Sequence, residues 1–153
     1  MTKGTNPMTS PDNKTRIKAA REQFLAEPRT AALSVSLGSS RGPLTVPIWY
    51  QYTPGGEPWV LTGAGTRKAQ SIEAAGFFSL MAQRLEPTRR YVAVDGAVSQ
   101  IQPATDDQIV ELTLRHLSGD AADRHIDFLR NRGEHLAITM RPEHWLYVDA
   151  ESF

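Results

Sequence analysis

Residues 60–76, VLTGAGTRKAQSIEAAG, bring together side chains and backbone suited to an anion. An apolar run ends in Thr62, Gly63 and Gly65 follow, and Arg67 and Lys68 stand where a helical pattern begins. The first amides of a helix have no intrahelical partner, and the helix dipole adds partial positive charge at that end. Glycines admit close approach to the backbone. Arg67 offers a planar fork and Lys68 a mobile point charge, so a phosphate would meet both geometry and charge. The same spacing fits a glycine turn before a helix whose cations face water. The motif alone leaves both readings open.

Other chemistry has less support. There is no cysteine, hence no disulfide, thiol nucleophile or thiolate metal site. His116, His125, His135 and His144 lack the His-x-x-x-His spacing of a helical zinc site, so no metal is expected. No Gly-x-Ser-x-Gly elbow points to a hydrolase. Trp49, Tyr50, Trp59 and Trp145 could wall a flat ring, although aromatics in small barrels more often form the core.

The elements that must hold these residues follow from periodicity. A helix is expected over residues 14–26, capped by Asp12 or Asn13 and stopped by Pro28. AALSVSL (31–37) and LTVPIWYQY (44–52) alternate as strands joined through GSSRGP. Pro47 lacks a ladder donor, which places it at an edge or bulge. A third strand covers 59–62, and a short helix covers 67–75 and ends at Gly76. Strands follow at 77–83 and 90–102, the second with a bulge expected at Asp95-Gly96. Thr105 and Asp106 are expected to cap a helix through Leu117, with Ile109, Leu112, Leu114 and Leu117 as apolar face, and another helix is expected over 120–130, with Ile126, Phe128 and Leu129. The last strands cover 136–140 and 145–148, with Pro142 between them.

The 153 residues suit one domain, over 14–153, preceded by a polar, disordered tail at 1–13. The fold class is mainly β (α+β): a six- to seven-stranded antiparallel split β-barrel with short flanking helices. Lys+Arg and Asp+Glu number 17 each, which weighs against nucleic-acid binding. No apolar run approaches the length of a membrane span, and the first residues lack a signal-peptide centre. With no cysteine, a cytoplasmic protein is expected.

From RTAALSVSL through SSRGPLTVPIWYQY, GGEPWVLTGAGTRKAQSI and YVAVDGAVSQI to RPEHWLYVD, the chain resembles the pyridoxamine 5′-phosphate oxidase-like superfamily of flavin-binding split barrels. Within it the sequence is most similar to the B group of deazaflavin- and flavin-dependent reductases. The resemblance implies a homodimer with two cofactor sites at the interface and a small-molecule substrate. It implies that Lys68 meets the cofactor phosphate, with Arg67 and Gly63 beside it. Val46, Pro47, Ile48 and Trp49 would lie along the ring system, and Thr62 would reach the ribityl-phosphate part. Gln83 and Trp145 are further transfers. The arginine-rich C-terminal segment of pyridoxamine phosphate oxidases has no counterpart in WLYVDAESF, which argues against vitamin B6 oxidation.

The cofactor expected is coenzyme F420, with FMN as the alternative. F420 carries an acidic oligoglutamate tail beyond its phosphate, so cations near that phosphate would favour it. Arg84, Arg89 and Arg90, or Lys14, Arg16, Lys18 and Arg21, could border the pocket or could be solvated surface charges. The function expected is hydride transfer from the reduced coenzyme to an unsaturated organic acceptor, with no side chain named as acid or base. An FMN reductase or flavin carrier is the alternative. A non-enzymatic haem or tetrapyrrole carrier, with His116 or His144 as ligand, is the second.

Overall fold

The computed structural model describes residues 11–150. Helix α1 (Pro11–Ala26) precedes β1 (Thr30–Val35), β2 (Leu44–Gln51), β3 (Trp59–Gly63), α2 (Arg67–Ala75), β4 (Phe77–Arg84) and β5 (Arg90–Pro103). Helices α3 (Asp106–His116) and α4 (Gly119–Arg130) follow, then β6 (His135–Met140) and β7 (His144–Asp149). The strands run antiparallel in the order β4-β1-β2-β3-β6-β5-β7, and β4 also pairs with β5. That last pairing closes a six-stranded barrel and leaves β7 as an extra strand on β5. No helix among the described residues is long and apolar enough to cross a membrane.

Alternation along the strands builds the core. Leu33, Tyr50, Val60, Leu80, Val92, Ile138 and Met140 are fully buried. The last turn of α1 joins them through Phe24 and Leu25, and the Tyr50 hydroxyl donates to the Leu25 carbonyl at 2.7 Å. Helix α1 begins earlier than its sequence pattern suggests. Asp12 and Asn13 lie inside it rather than capping it, and Pro11 holds its first position, where a missing N–H is harmless. The expected tail therefore falls partly in this helix, and residues 1–10 lie outside the described part.

Strand β5 links the two halves of the barrel. One side pairs with β4 from Arg90 to Ala97. Its other side is divided: residues 90–95 pair with β7 and residues 98–103 with β6. Between those partners the link from Arg141 to Glu143 crosses the strand, donating to the Ala97 and Asp95 carbonyls. Gly96 sits under this crossing, in regular register with Phe78. The irregularity expected at Asp95-Gly96 is instead between Val98 and Gln100, where β5 changes partner.

Helices α3 and α4 form an antiparallel hairpin. Thr105 caps α3 in a reciprocal capping box with Gln108, and Arg130 forks onto Asp106 at 2.7 and 2.8 Å. Arg115 seats the hairpin on β2, donating to Gln51 Oε1 at 2.8 Å. Leu114 and Phe128, assigned to apolar faces from sequence, are more than half exposed. The buried faces instead carry Ile109, Leu112 and Thr113 on α3, and Ala122 and Ile126 on α4.

Candidate functional site

Strands β2 and β3 pair at only two positions, Tyr50 with Val60 and Gln51 with Trp59. Beyond them the strands part. Pro47 still pairs across to Ala32 of β1, but its other side has no ladder, as its missing donor requires. Strand β3 continues against β6 up to Gly63 and His135. The wedge so opened is a cavity of about 420 Å³. Pro47, Ile48 and Trp49 line one wall and Leu61, Thr62 and Gly63 the other. Leu112, Thr113, His125 and Leu129 of the helical hairpin cover it, and Lys68 and His135 complete it.

Lys68 enters the cavity from the first turn of α2. Thr66, in extended conformation, caps that helix by accepting from the Ala69 amide at 3.2 Å. Its hydroxyl also lies 3.2 Å from that of Thr62, which is buried, and 2.8 Å from the Gly63 carbonyl. Gly65 takes the left-handed φ of 78° that the turn before the cap requires. Burial holds the Lys68 ammonium below the ordinary lysine range. Among the described residues it has no carboxylate partner. A half-buried cation without a counter-ion, beside a helix start, fits a phosphate.

Trp49 is held by two histidines. His116 stacks flat on its indole, with ring centroids 4.4 Å apart and planes 10° apart, and His125 leans on it at 5.0 Å. Burial, followed by the nearby Arg115 charge, pushes the His116 pKa down from 6.5. Its Nε2 is buried with no hydrogen-bond partner. The unfolded chain therefore binds a proton here more readily than the folded one. The stabilising contribution is full above pH 6.5 and is lost as pH falls below it. Thermal melts should show the midpoint falling on acidification through this range, and His116→Gln should flatten that fall. An unchanged slope in the variant would show that other groups set the acid limb.

Of the residues expected at the site, Pro47, Ile48, Trp49, Thr62, Gly63 and Lys68 share this cavity. Val46 packs against the core and, with Gln83 and Met81, borders a groove on the sheet face that meets the cavity at Thr30 and Pro47. Arg67 does not join Lys68. One helical step turns it to a separate groove with Ser36, Gln70 and Phe77. Trp145 lies away from the cavity, under the Arg21 guanidinium at 4.6 Å and edge-on to Tyr52. The cation clusters proposed for an acidic tail are also elsewhere. Arg84 donates to Thr88, Arg90 pairs with Asp149 at 2.8 Å, and Lys14, Arg16 and Lys18 are exposed on α1. His144 is bonded to Asp95 at 2.9 Å on β7, and neither it nor His116 lines the cavity. Sequence reasoning missed His125, His135 and the cap Thr66. The Thr66-to-Ala69 spacing could have revealed the cap. His125 and His135 reach the cavity from α4 and β6, and no spacing in the sequence encodes that meeting.

No family model matches the sequence, and no curated protein matches it. Solved structures do. An F420 reductase superposes with TM-score 0.64 at 20% identity, over 82% of this chain and 94% of its own. A Clostridium acetobutylicum protein related to general stress protein 26, of the pyridoxinephosphate oxidase family, gives 0.60 at 12% identity, over 90% and 89%. The heme storage protein of Vibrio cholerae gives 0.55 at 16% identity, over 89% and 92%. The fold is a split barrel. At these identities the likeness is one of architecture, and the chemistry of this split barrel rests on its own residues.

Proposed function

We propose that the chain is an oxidoreductase that binds coenzyme F420 in the β2–β3 wedge and reduces an unsaturated organic acceptor. The observation that carries this reading is Lys68: a half-buried cation with no carboxylate partner, at a capped helix start, in a cavity walled by Trp49. Lys68 and the free amides of the first turn of α2 hold the phosphate, with the Thr62 and Thr66 hydroxyls beside them. Pro47 and Trp49 lie along the ring, and the seated hairpin excludes water from one side. When bound, the reduced deazaflavin supplies the hydride. The balancing proton comes from solvent, and no side chain is assigned that role.

The FMN reading shares the phosphate site, because Lys68 serves a terminal phosphate equally well. A tetrapyrrole reading meets two histidines in the cavity, His125 and His135, rather than His116 or His144. The resemblance of the fold to a heme storage protein keeps this reading in view.

The proposed site opens toward the outer sheet face, where Pro47, Ala32, Met81, Ala93 and Leu146 stand in register as one apolar row across five strands. Leu146 is 56% exposed. Such a row supports a homodimer with the cofactor sites near its interface.

Titrating the apoprotein with F420, FMN and haemin separates the readings. Tighter binding of F420, hydride transfer from its reduced form and a sedimentation mass of two chains are expected. Tighter FMN binding would overturn the cofactor choice. A Soret band lost in His125→Ala or His135→Ala, without F420 binding, would favour the tetrapyrrole.

A further inference from the structure

The α3–α4 hairpin leaves and rejoins the sheet at one place. Strand β5 ends at Pro103, which pairs with Leu136 of β6, and the Ala104 amide donates to the His135 carbonyl at 2.8 Å. The chain between them hangs from that single crossing. Within it the two helices hold each other through the Arg130 fork on Asp106. Their buried residues Ile109, Leu112, Ala122 and Ile126 are not part of the cluster that forms the barrel core. A hairpin built this way moves as a unit while the barrel stays shut.

Its polar ties to β2 lie at the other end, about 16 Å along α3 from the crossing. Arg115 reaches Gln51 at 2.8 Å, and His116 lies flat on Trp49 and bonds to the Tyr50 backbone. Between the two ends, Leu112 and Thr113 of α3 and His125 and Leu129 of α4 roof the cavity.

The ring at the far end sits in a dry place. His116 Nε2 is buried and has no hydrogen-bond partner. A bare nitrogen tolerates that, whereas an N–H there gives up water with nothing in exchange. The charged and titratable groups around it are Arg115 and, one turn back, Glu111 on α3, His125 on α4, Tyr50 on β2, and Arg29 ahead of β1. Burial opposes a positive charge on the ring, and Arg115 adds to that opposition.

We propose that the α3–α4 hairpin is a lid on the β2–β3 wedge, hinged at Ala104 and His135 and latched by His116 on Trp49, and that protonation of His116 releases it. The latched ring binds a proton less readily than the free one. Closure is therefore full above 6.5, the ordinary histidine value, and weakens as pH falls below it. The inference holds whatever the wedge binds, so it stands apart from the choice of cofactor.

The test is hydrogen exchange by mass spectrometry on the full chain without ligand, from neutral pH to about pH 5, corrected for intrinsic exchange rates. Amides of residues 106–130 should lose protection by up to about tenfold per pH unit, the limit for one proton, while β4 and β5 keep theirs. His116→Phe, which keeps a flat ring on Trp49 but cannot titrate, should hold the hairpin closed throughout. His116→Gln should be equally insensitive to pH, at whatever protection it starts from. His125→Phe should respond as the full chain does. A full chain whose hairpin keeps its protection, or loses it together with the barrel, overturns the lid. A fall that persists in both His116 variants, or that His125→Phe abolishes, overturns the latch.

Discussion

Gly96→Ala is expected to unfold the chain or to destabilise it by about 3 kcal/mol or more, the upper range for forcing atoms into a packed site. A Cβ at Gly96 would stand 1.6 Å from the Arg141 carbonyl oxygen and 2.8 Å from its carbon. Both are backbone atoms, so no rotamer change relieves the overlap. The carbonyl cannot retreat freely, because the Arg141 and Glu143 amides are bonded to β5 on either side. The backbone at Gly96 is ordinary extended strand, so space and not dihedral angle demands the glycine. Gly38→Ala, which meets nothing within 4 Å but has φ of 68°, makes a useful contrast. Its penalty comes from the dihedral alone, about 1–2 kcal/mol. Chemical denaturation of both variants measures the difference, and a Gly96→Ala variant as stable as the parent would mean that the crossing is not where the structure puts it.

The second large effect concerns the site. Lys68→Ala should weaken binding of a phosphate-bearing cofactor by about 1–3 kcal/mol, the range for a charge-assisted hydrogen bond. Lys18→Ala, on the exposed side of α1, should leave binding nearly unchanged. Stability separates a binding role from a structural one. Lys68 is desolvated without a partner, so its removal should leave the ligand-free melting midpoint unchanged or higher. The pH dependence has a definite sign. Burial lowers the lysine pKa, so the cation is lost at lower pH than in an exposed lysine, and affinity declines as pH rises toward that point. A bound phosphate favours the charged form and moves the decline to higher pH. Calorimetry across the alkaline range measures it. Equal losses in Lys68→Ala and Lys18→Ala would contradict the phosphate role.

Much of the barrel was legible because its signals are local. Alternation, apolar runs and turn residues placed each strand to within two residues, and Gly76 ended α2 at the φ of 76° expected for a left-handed stop. Pro47 marked the place where β2 loses a neighbour. What the sequence did not carry was relative orientation. Arg67 and Lys68 are adjacent in the chain but diverge on a helix, so a dipeptide reading paired what the fold separates. His116 and His125 meet Trp49 because the hairpin packs against β2, and no spacing in the sequence encodes that packing. The arginines following β4 seemed available for an acidic tail on charge alone, yet Arg90 already has Asp149.

Strand β5 has a consequence for dynamics. Its first half is bonded on both sides, to β4 and β7, and its second half to β6. Opening any one neighbour leaves it anchored by the others. In deuterium exchange its central amides should therefore be released last, at a rate set by global rather than regional opening, while α4 and the exposed start of α1 exchange early.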